Sequence, residues 1–237
     1  MGRHSEQHRT FGRRSTAEAS GTSRAPEGFV DVRGVGVAYG DVTALEEVSL
    51  SARPGDFLAV TGHSGAGKTS LINAIAGIVP LASGEVDLGR GATQRRDPSA
   101  VAIIPQGNGL ASVLTAYENV LAPLRARGLA PDEAATRATE ALAAVGLGES
   151  GTHLVEELSG GQQQRAAVAR GLAIDAPVLL ADEPTSELDH DNRERVLDLM
   201  RARADAGAVV IMATHDPEAA ARADVVIELD DGRVVGG

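Results

Sequence analysis

Two short stretches of this 237-residue sequence hold the residue types needed to handle phosphate. The first is Gly62-His63-Ser64-Gly65-Ala66-Gly67-Lys68-Thr69, which matches the G-x-x-x-x-G-K-[ST] loop. Gly62, Gly65 and Gly67, with the small Ser64 and Ala66 between them, let a backbone wrap around a phosphate with its N–H groups pointing inward. A helix start behind the loop adds partial positive charge. Lys68 would neutralise the terminal phosphates of a nucleotide. Thr69 would offer its hydroxyl to Mg²⁺, and Ser70 completes the nucleotide-contacting set. Lys68 is also the only lysine among 22 Lys and Arg residues. A compact ammonium fits a tight loop where arginine's planar fork does not.

The second stretch is Val178-Leu179-Leu180-Ala181-Asp182-Glu183, an apolar run ending in adjacent acids. Neighbouring strand residues point to opposite sides, so the two carboxylates have different tasks. Asp182 is placed for the metal shell and Glu183 for polarising an attacking water. Between the two stretches lies Leu158-Ser159-Gly160-Gly161-Gln162-Gln163-Gln164-Arg165. Ser159 and Gln162 stand at capping-box spacing, and the two glycines leave helix N–H groups open to an anion.

The elements that must position these groups follow from apolar periodicity. Strands are predicted from Phe29-Val30-Asp31-Val32 through Val37, at Val48–Ala52, Phe57–Val60, Glu85–Leu88 and Val101–Ile104. Further strands are predicted at Val178–Ala181, Ala208–Met212 and Asp224–Leu229, with Asp231-Gly232 turning a final hairpin. The apolar runs of this carboxyl-terminal half read as strands covered on both faces. Helices are expected at Gly67–Gly77, Thr115–Arg127, Pro131–Ala144, Asp191–Ala206 and Pro217–Ala223. The pattern is a mixed α/β domain over residues 28–237, with a helical insertion at about 110–172. Residues 1–27, with five arginines and many Ser and Thr, read as a solvated, disordered tail. Glu6, Glu18 and Glu27 count against an organellar transit peptide there.

Composition narrows the function classes. Apolar residues make up 43% and charged residues 23%, values of a folded soluble domain. The net charge of −11 repels phosphate backbones, so no nucleic-acid partner is expected. The absence of cysteine excludes disulfides, thiolate metal sites and cysteine nucleophiles. No run is apolar enough to span a membrane, which leads to the expectation of a cytoplasmic protein docked to a partner.

In combination, the Leu158–Arg165 string resembles the signature motif of ABC-type ATPases. Tyr39 resembles the aromatic that stacks on adenine, Gln106 the Q-loop glutamine, Asp189 the D-loop acid and His215 the switch histidine. The plainer roles are an ordinary strand aromatic for Tyr39 and a helix cap for His215. The resemblance covers about residues 28–237. It implies a P-loop NTPase fold of ABC type, α/β, with an N-terminal antiparallel β subdomain and a central helical subdomain. It also implies a mechanism in which a homodimer forms head to tail on ATP binding. Two ATPs would be held between one P-loop and the partner's Ser159, Gly160, Gly161 and Gln162. Lys68, Glu183 and His215 would be catalytic, His215 through the γ-phosphate. Thr69, Gln106 and Asp182 would serve Mg²⁺, and Gln106 would link that metal to integral membrane permease subunits at the cytoplasmic face.

Leu114-Thr115-Ala116-Tyr117-Glu118-Asn119-Val120 and Ala213-Thr214-His215-Asp216 are similar to the lipoprotein-release and macrolide-export branch, which includes the cell-division ABC ATPase. Pro105 stands where that branch often has an aromatic, and Gly89–Val101 is shorter than there. Importer ATPases and an ATP-driven switch without transport are the alternatives. A DNA-maintenance or translation ATPase fits less well, because the 114 residues from Lys68 to Asp182 hold no coiled coil or zinc module.

Overall fold

A computed structural model describes residues 30–89 and 100–236. The tail at 1–27 and the polar loop around Arg95 and Arg96 lie outside the described residues. Strands β1 (Val30–Tyr39) and β2 (Val42–Ala52) pair antiparallel, and β4 (Ser83–Asp87) joins the other edge of β1. A second sheet contains β3 (Phe57–Thr61), β5 (Val101–Ile104), β6 (Val178–Asp182), β7 (Val209–Ala213), β8 (Val225–Asp230) and β9 (Arg233–Gly236). Its order is β5-β6-β7-β3-β8-β9, parallel except for the β8–β9 hairpin.

The central strands β6 and β7 are buried throughout, and their alternate residues serve two cores. Val178, Leu180, Val209 and Ile211 pack with helix α1 (Lys68–Ala76) and the antiparallel sheet. Leu179, Ala181, Val210 and Met212 pack toward α2 (Ala116–Ala126), α3 (Pro131–Ala144), α4 (Gly160–Ala173) and α5 (His190–Asp205). Helices on both faces are the usual setting for a parallel sheet.

Local chemistry fixes the helix ends. Thr115 and Glu118 form a reciprocal capping box on α2, as Ser159 and Gln162 do on α4. Asp189 caps α5 by accepting from the Asn192 N–H at 2.9 Å.

Three expectations differ from the structure. Strand β2 begins at Val42, six residues before the predicted Val48, because exposed Glu46 and Glu47 form a bulge in its pairing with β1, with Glu47 at φ 53°, and break the apolar alternation. Strand β8 is not covered on both faces: Val225 and Val226 are 44% and 42% exposed, while Ile227 and Leu229 are buried. Helix α6 (Pro217–Ala220) is shorter than the predicted Pro217–Ala223, a single turn packed against β3.

The β8–β9 turn is bonded into the interior. Asp231 and Gly232 both have positive φ, 43° and 77°, the backbone of a type I′ hairpin turn. The Gly232 N–H donates to the Ala66 carbonyl at 3.1 Å, and the Gly232 carbonyl accepts from the Glu46 N–H at 2.8 Å. A Cβ at Gly232 would lie 2.7 Å from the Ala44 carbonyl oxygen. Gly232→Ala therefore combines left-handed strain with a backbone clash and should cost about 2–3 kcal/mol. Thermal denaturation should show Tm lowered by about 5–10 °C, and an unchanged Tm would contradict this account of the turn.

Candidate functional site

The sheet order brings four strand ends to one edge. The loop 62–67 follows β3, Gln106 follows β5, Asp182 and Glu183 end β6, and His215 follows β7. Ser64, Gly65, Gly67, Lys68, Thr69 and Ser70 line a cavity of about 510 Å³ together with Gln106, Asp182, Glu183 and His215. Ala44 and Ser186 complete the lining. Gly65 has φ 89°, and a Cβ built there would meet nothing within 4 Å, so the loop's concave side is open.

The Lys68 ammonium is folded back on the loop, donating to the Gly62 carbonyl at 2.8 Å and the His63 carbonyl at 3.1 Å. Thr69 Oγ1 donates to Asp182 Oδ2 at 2.7 Å. Asp182 is 3% exposed, and its other oxygen, Oδ1, is buried without a hydrogen-bond partner. Burial pushes the Asp182 carboxyl above its ordinary pKa. The Thr69 hydrogen bond opposes that rise, neighbouring Glu183 adds to it, and Lys68 offsets part of it. An orphaned, buried carboxylate oxygen beside a hydroxyl is a donor set suited to a hard divalent cation such as Mg²⁺.

Glu183 is held in an unusual conformation. Its φ is 51°, its N–H donates to the Ala213 carbonyl at 2.9 Å, and its own carbonyl accepts from Gln164 Nε2 at 2.8 Å. The carboxylate is turned to His215, with Oε1 at 2.9 Å from the ring Nδ1. Asp182 and Glu183 have different partners, the Thr69 hydroxyl and the imidazole, but not through strand alternation: β6 ends at Asp182, and both residues line the one cavity.

The sequence profile of the ABC transporter family matches residues 45–186. The chain belongs to this family. An ABC transporter ATP-binding protein of Mycobacterium tuberculosis is 42% identical over 203 residues, covering 81% of this chain and 61% of its own length. The lipoprotein-releasing system ATP-binding protein LolD of Chromohalobacter salexigens is 39% identical, over 82% of this chain and 86% of its own. Among solved structures, the dimeric post-hydrolysis state of the ATP-binding cassette MJ0796 with ADP and Pi superposes with a TM-score of 0.81. That match has 32% identity and covers 87% of this chain and 97% of the other. The chain spans about three fifths of the length of the first of these relatives, 61%.

Not every expected residue of this cassette reaches the cavity. Gly62 and Ala66 lie in the loop itself, Ala66 fully buried beneath it. Tyr39, at the end of β1, is 49% exposed and outside the lining. Ser159, Gly160, Gly161 and Gln162 sit at the start of α4, away from this copy's cavity, and Asp189 caps α5. Asn192 joins that cap to α4 by accepting from Arg165 at 2.8 Å. The Asn192 backbone N–H and side chain, with Arg165 and His190 nearby, hold the Asp189 carboxyl below the usual carboxylate range.

Two residues of α4 were not singled out by sequence reasoning. Buried Gln164 bonds Glu183 through Nε2 and accepts from the Glu187 N–H at 2.7 Å, bracing the loop after β6. Its spacing with Ala167, Val168 and Gly171 on one face marks it as inward-facing and could have found it. Arg170 donates to the Gly109 carbonyl at 2.6 Å and the Asn108 carbonyl at 2.8 Å, fastening the loop after Gln106.

Asp182→Asn separates binding from stability. The amide oxygen can keep the Thr69 bond while the desolvated charge is removed. Thermal denaturation without nucleotide should show Tm higher by about 2–4 °C, a gain of about 1 kcal/mol. A carboxyl whose folded pKa is raised costs stability above that folded pKa and costs nothing once protonated in both states. The advantage of the variant should therefore shrink as the pH falls through the folded pKa of Asp182. A gap that stays constant on acidification would contradict this assignment.

Proposed function

We propose that this cassette binds ATP with Mg²⁺ in the cavity, hydrolyses it, and thereby drives an integral membrane partner of the lipoprotein-release or macrolide-export type. The observation that carries the reading is the Glu183 carboxylate at the β6 end, within the phosphate-loop cavity and 2.9 Å from His215. Gly65, Gly67 and the α1 N-terminus receive the phosphates. Lys68 exchanges its two loop carbonyls for the β- and γ-phosphate oxygens, keeping charge-assisted bonds throughout. Thr69, the orphaned Asp182 oxygen and Gln106 would hold Mg²⁺, which when bound neutralises charge on the phosphate oxygens.

Glu183 accepts the proton of the attacking water as that oxygen bonds to the γ-phosphorus. The bond from the γ-phosphorus to the bridging oxygen breaks, and ADP and phosphate result. His215 donates to the γ-phosphate. In the structure its Nδ1 is bonded to Glu183, which leaves the ring Nε2 to meet the phosphate.

The placement of Ser159–Gln162 outside the cavity of the same copy supports a head-to-tail homodimer, in which each α4 N-terminus reaches the partner's nucleotide. A groove of about 990 Å³ between β5, α2 and α4 is lined by Val101, Ile103, Leu114, Pro123 and Leu129. It would seat a cytoplasmic segment of the permease, next to the loop that Arg170 fastens behind Gln106. No helix among the described residues is long and apolar enough to cross a membrane.

Glu183→Gln should retain ATP yet release phosphate about 10²–10⁴-fold more slowly. Gel filtration should also show it passing from monomer to dimer on addition of ATP. Turnover near the wild-type rate would overturn the catalytic assignment. Mixing inactive Lys68→Ala with inactive Ser159→Arg should restore part of the turnover, because the mixed dimer contains one site with both halves intact. Mixtures that stay inactive while heterodimers form would rule out the head-to-tail arrangement.

A further inference from the structure

His63 follows Gly62 in the phosphate loop, and its ring is not used in the reaction above. Its Nδ1 lies 2.7 Å from the Ser64 carbonyl oxygen, which can only accept, so Nδ1 carries a proton. Its Nε2 lies 3.1 Å from Asp230 Oδ1 and 3.7 Å from Asp231 Oδ1. A neutral ring protonated on Nδ1 turns the Nε2 lone pair toward both carboxylates. Facing lone pairs repel unless a cation, either a proton on Nε2 or a metal ion, lies between them. The Ser64 carbonyl, then Asp230 and Asp231, hold the His63 pKa above its ordinary value, so a proton competes with a metal ion for Nε2.

The three ligand atoms lie within 4.8 Å of one another, the one such group among the described residues. Tetrahedral Zn²⁺ with bonds of about 2.0–2.1 Å needs ligand atoms about 3.3–3.4 Å apart. The observed 3.1 and 3.7 Å bracket that spacing. We propose that His63 Nε2, Asp230 Oδ1 and Asp231 Oδ1 form a binding site for a divalent transition metal of the Zn²⁺ class at the rim of the phosphate loop.

Imidazole favours such an ion over Mg²⁺, so the site is chemically separate from Thr69 and Asp182. The Nδ1–H bond to the Ser64 carbonyl is the outer contact that orients a metal-binding histidine. The side chains of His63, Asp230 and Asp231 are 54%, 58% and 91% exposed, which leaves the fourth position to water and allows exchange. An ion there adds a second tie between the loop and the β8–β9 turn, beside the Gly232 N–H bond to Ala66. The tie falls on the residue whose carbonyl accepts from Lys68.

The test is calorimetric titration of the chelator-stripped full chain with Zn²⁺ in the presence of excess Mg²⁺, with ¹⁵N spectra of the His63 ring. We expect a Zn²⁺ site that His63→Gln and the Asp230→Asn/Asp231→Asn pair each weaken about tenfold or more, while His153→Gln leaves it unchanged. Zn²⁺ should shift the wild-type Nε2 resonance while Nδ1 stays protonated. Equal Zn²⁺ affinity in wild type and His63→Gln would overturn the proposal. So would a His63 ring that responds to acid but not to Zn²⁺, since a proton alone would then bridge the carboxylates.

Discussion

The hydrogen bond from Thr69 to Asp182 joins two chain segments 113 residues apart, and the arrangement of the cavity depends on it. The bond is possible because β7 lies between β3 and β6, which brings the first turn of α1 to the end of β6. That geometry buries a carboxylate with one oxygen satisfied and the other not. The cost is borne in a well-packed setting, since β6 and β7 are buried along their whole length. A preformed, desolvated charge is what a cation site requires. The stability lost at Asp182 is therefore inseparable from its suitability for a cation.

Helix α4 supports the same edge from the other core. Gln164 holds the carbonyl of Glu183 and the N–H of Glu187, so a residue with φ 51° keeps its backbone partners. Arg170 holds the carbonyls of Asn108 and Gly109 at the far end of the helix. The loops after β5 and β6 are thus fastened to one rigid element. Their positions depend on how α4 packs rather than on their own sequences.

Much of this was legible in the residues, and the reason is physical. The phosphate loop and the acid pair are contiguous strings whose chemistry is local, and β3, β6 and β7 are apolar runs buried along almost their whole length. Pro131–Ala144 and Val101–Ile104 were read to the residue. Less legible was anything set by distant packing. The start of β2 was hidden by Glu46 and Glu47, charged residues at a bulge that interrupts the strand's alternation. The open face of β8 was hidden because the apolar run Val225-Val226-Ile227 looks alike whether or not a helix covers it. Gln164 looked like one of three equivalent glutamines, and only its helical spacing with Ala167, Val168 and Gly171 sets it apart in the sequence.

A helix gripped at several points also transmits motion. The fourteen residues of α4 span about 21 Å. Its first turn carries Ser159–Gln162, its second carries Gln164 beside the acid loop, and Arg170 near its end holds the loop after β5. Tilting such a rod about its middle by about ten degrees moves its two ends in opposite directions by almost 2 Å each. That is enough to make or break hydrogen bonds at either end. A push that tilted α4 from the groove side would reach its N-terminus as a displacement of opposite sign, with no segment of the chain needing to unfold to carry it.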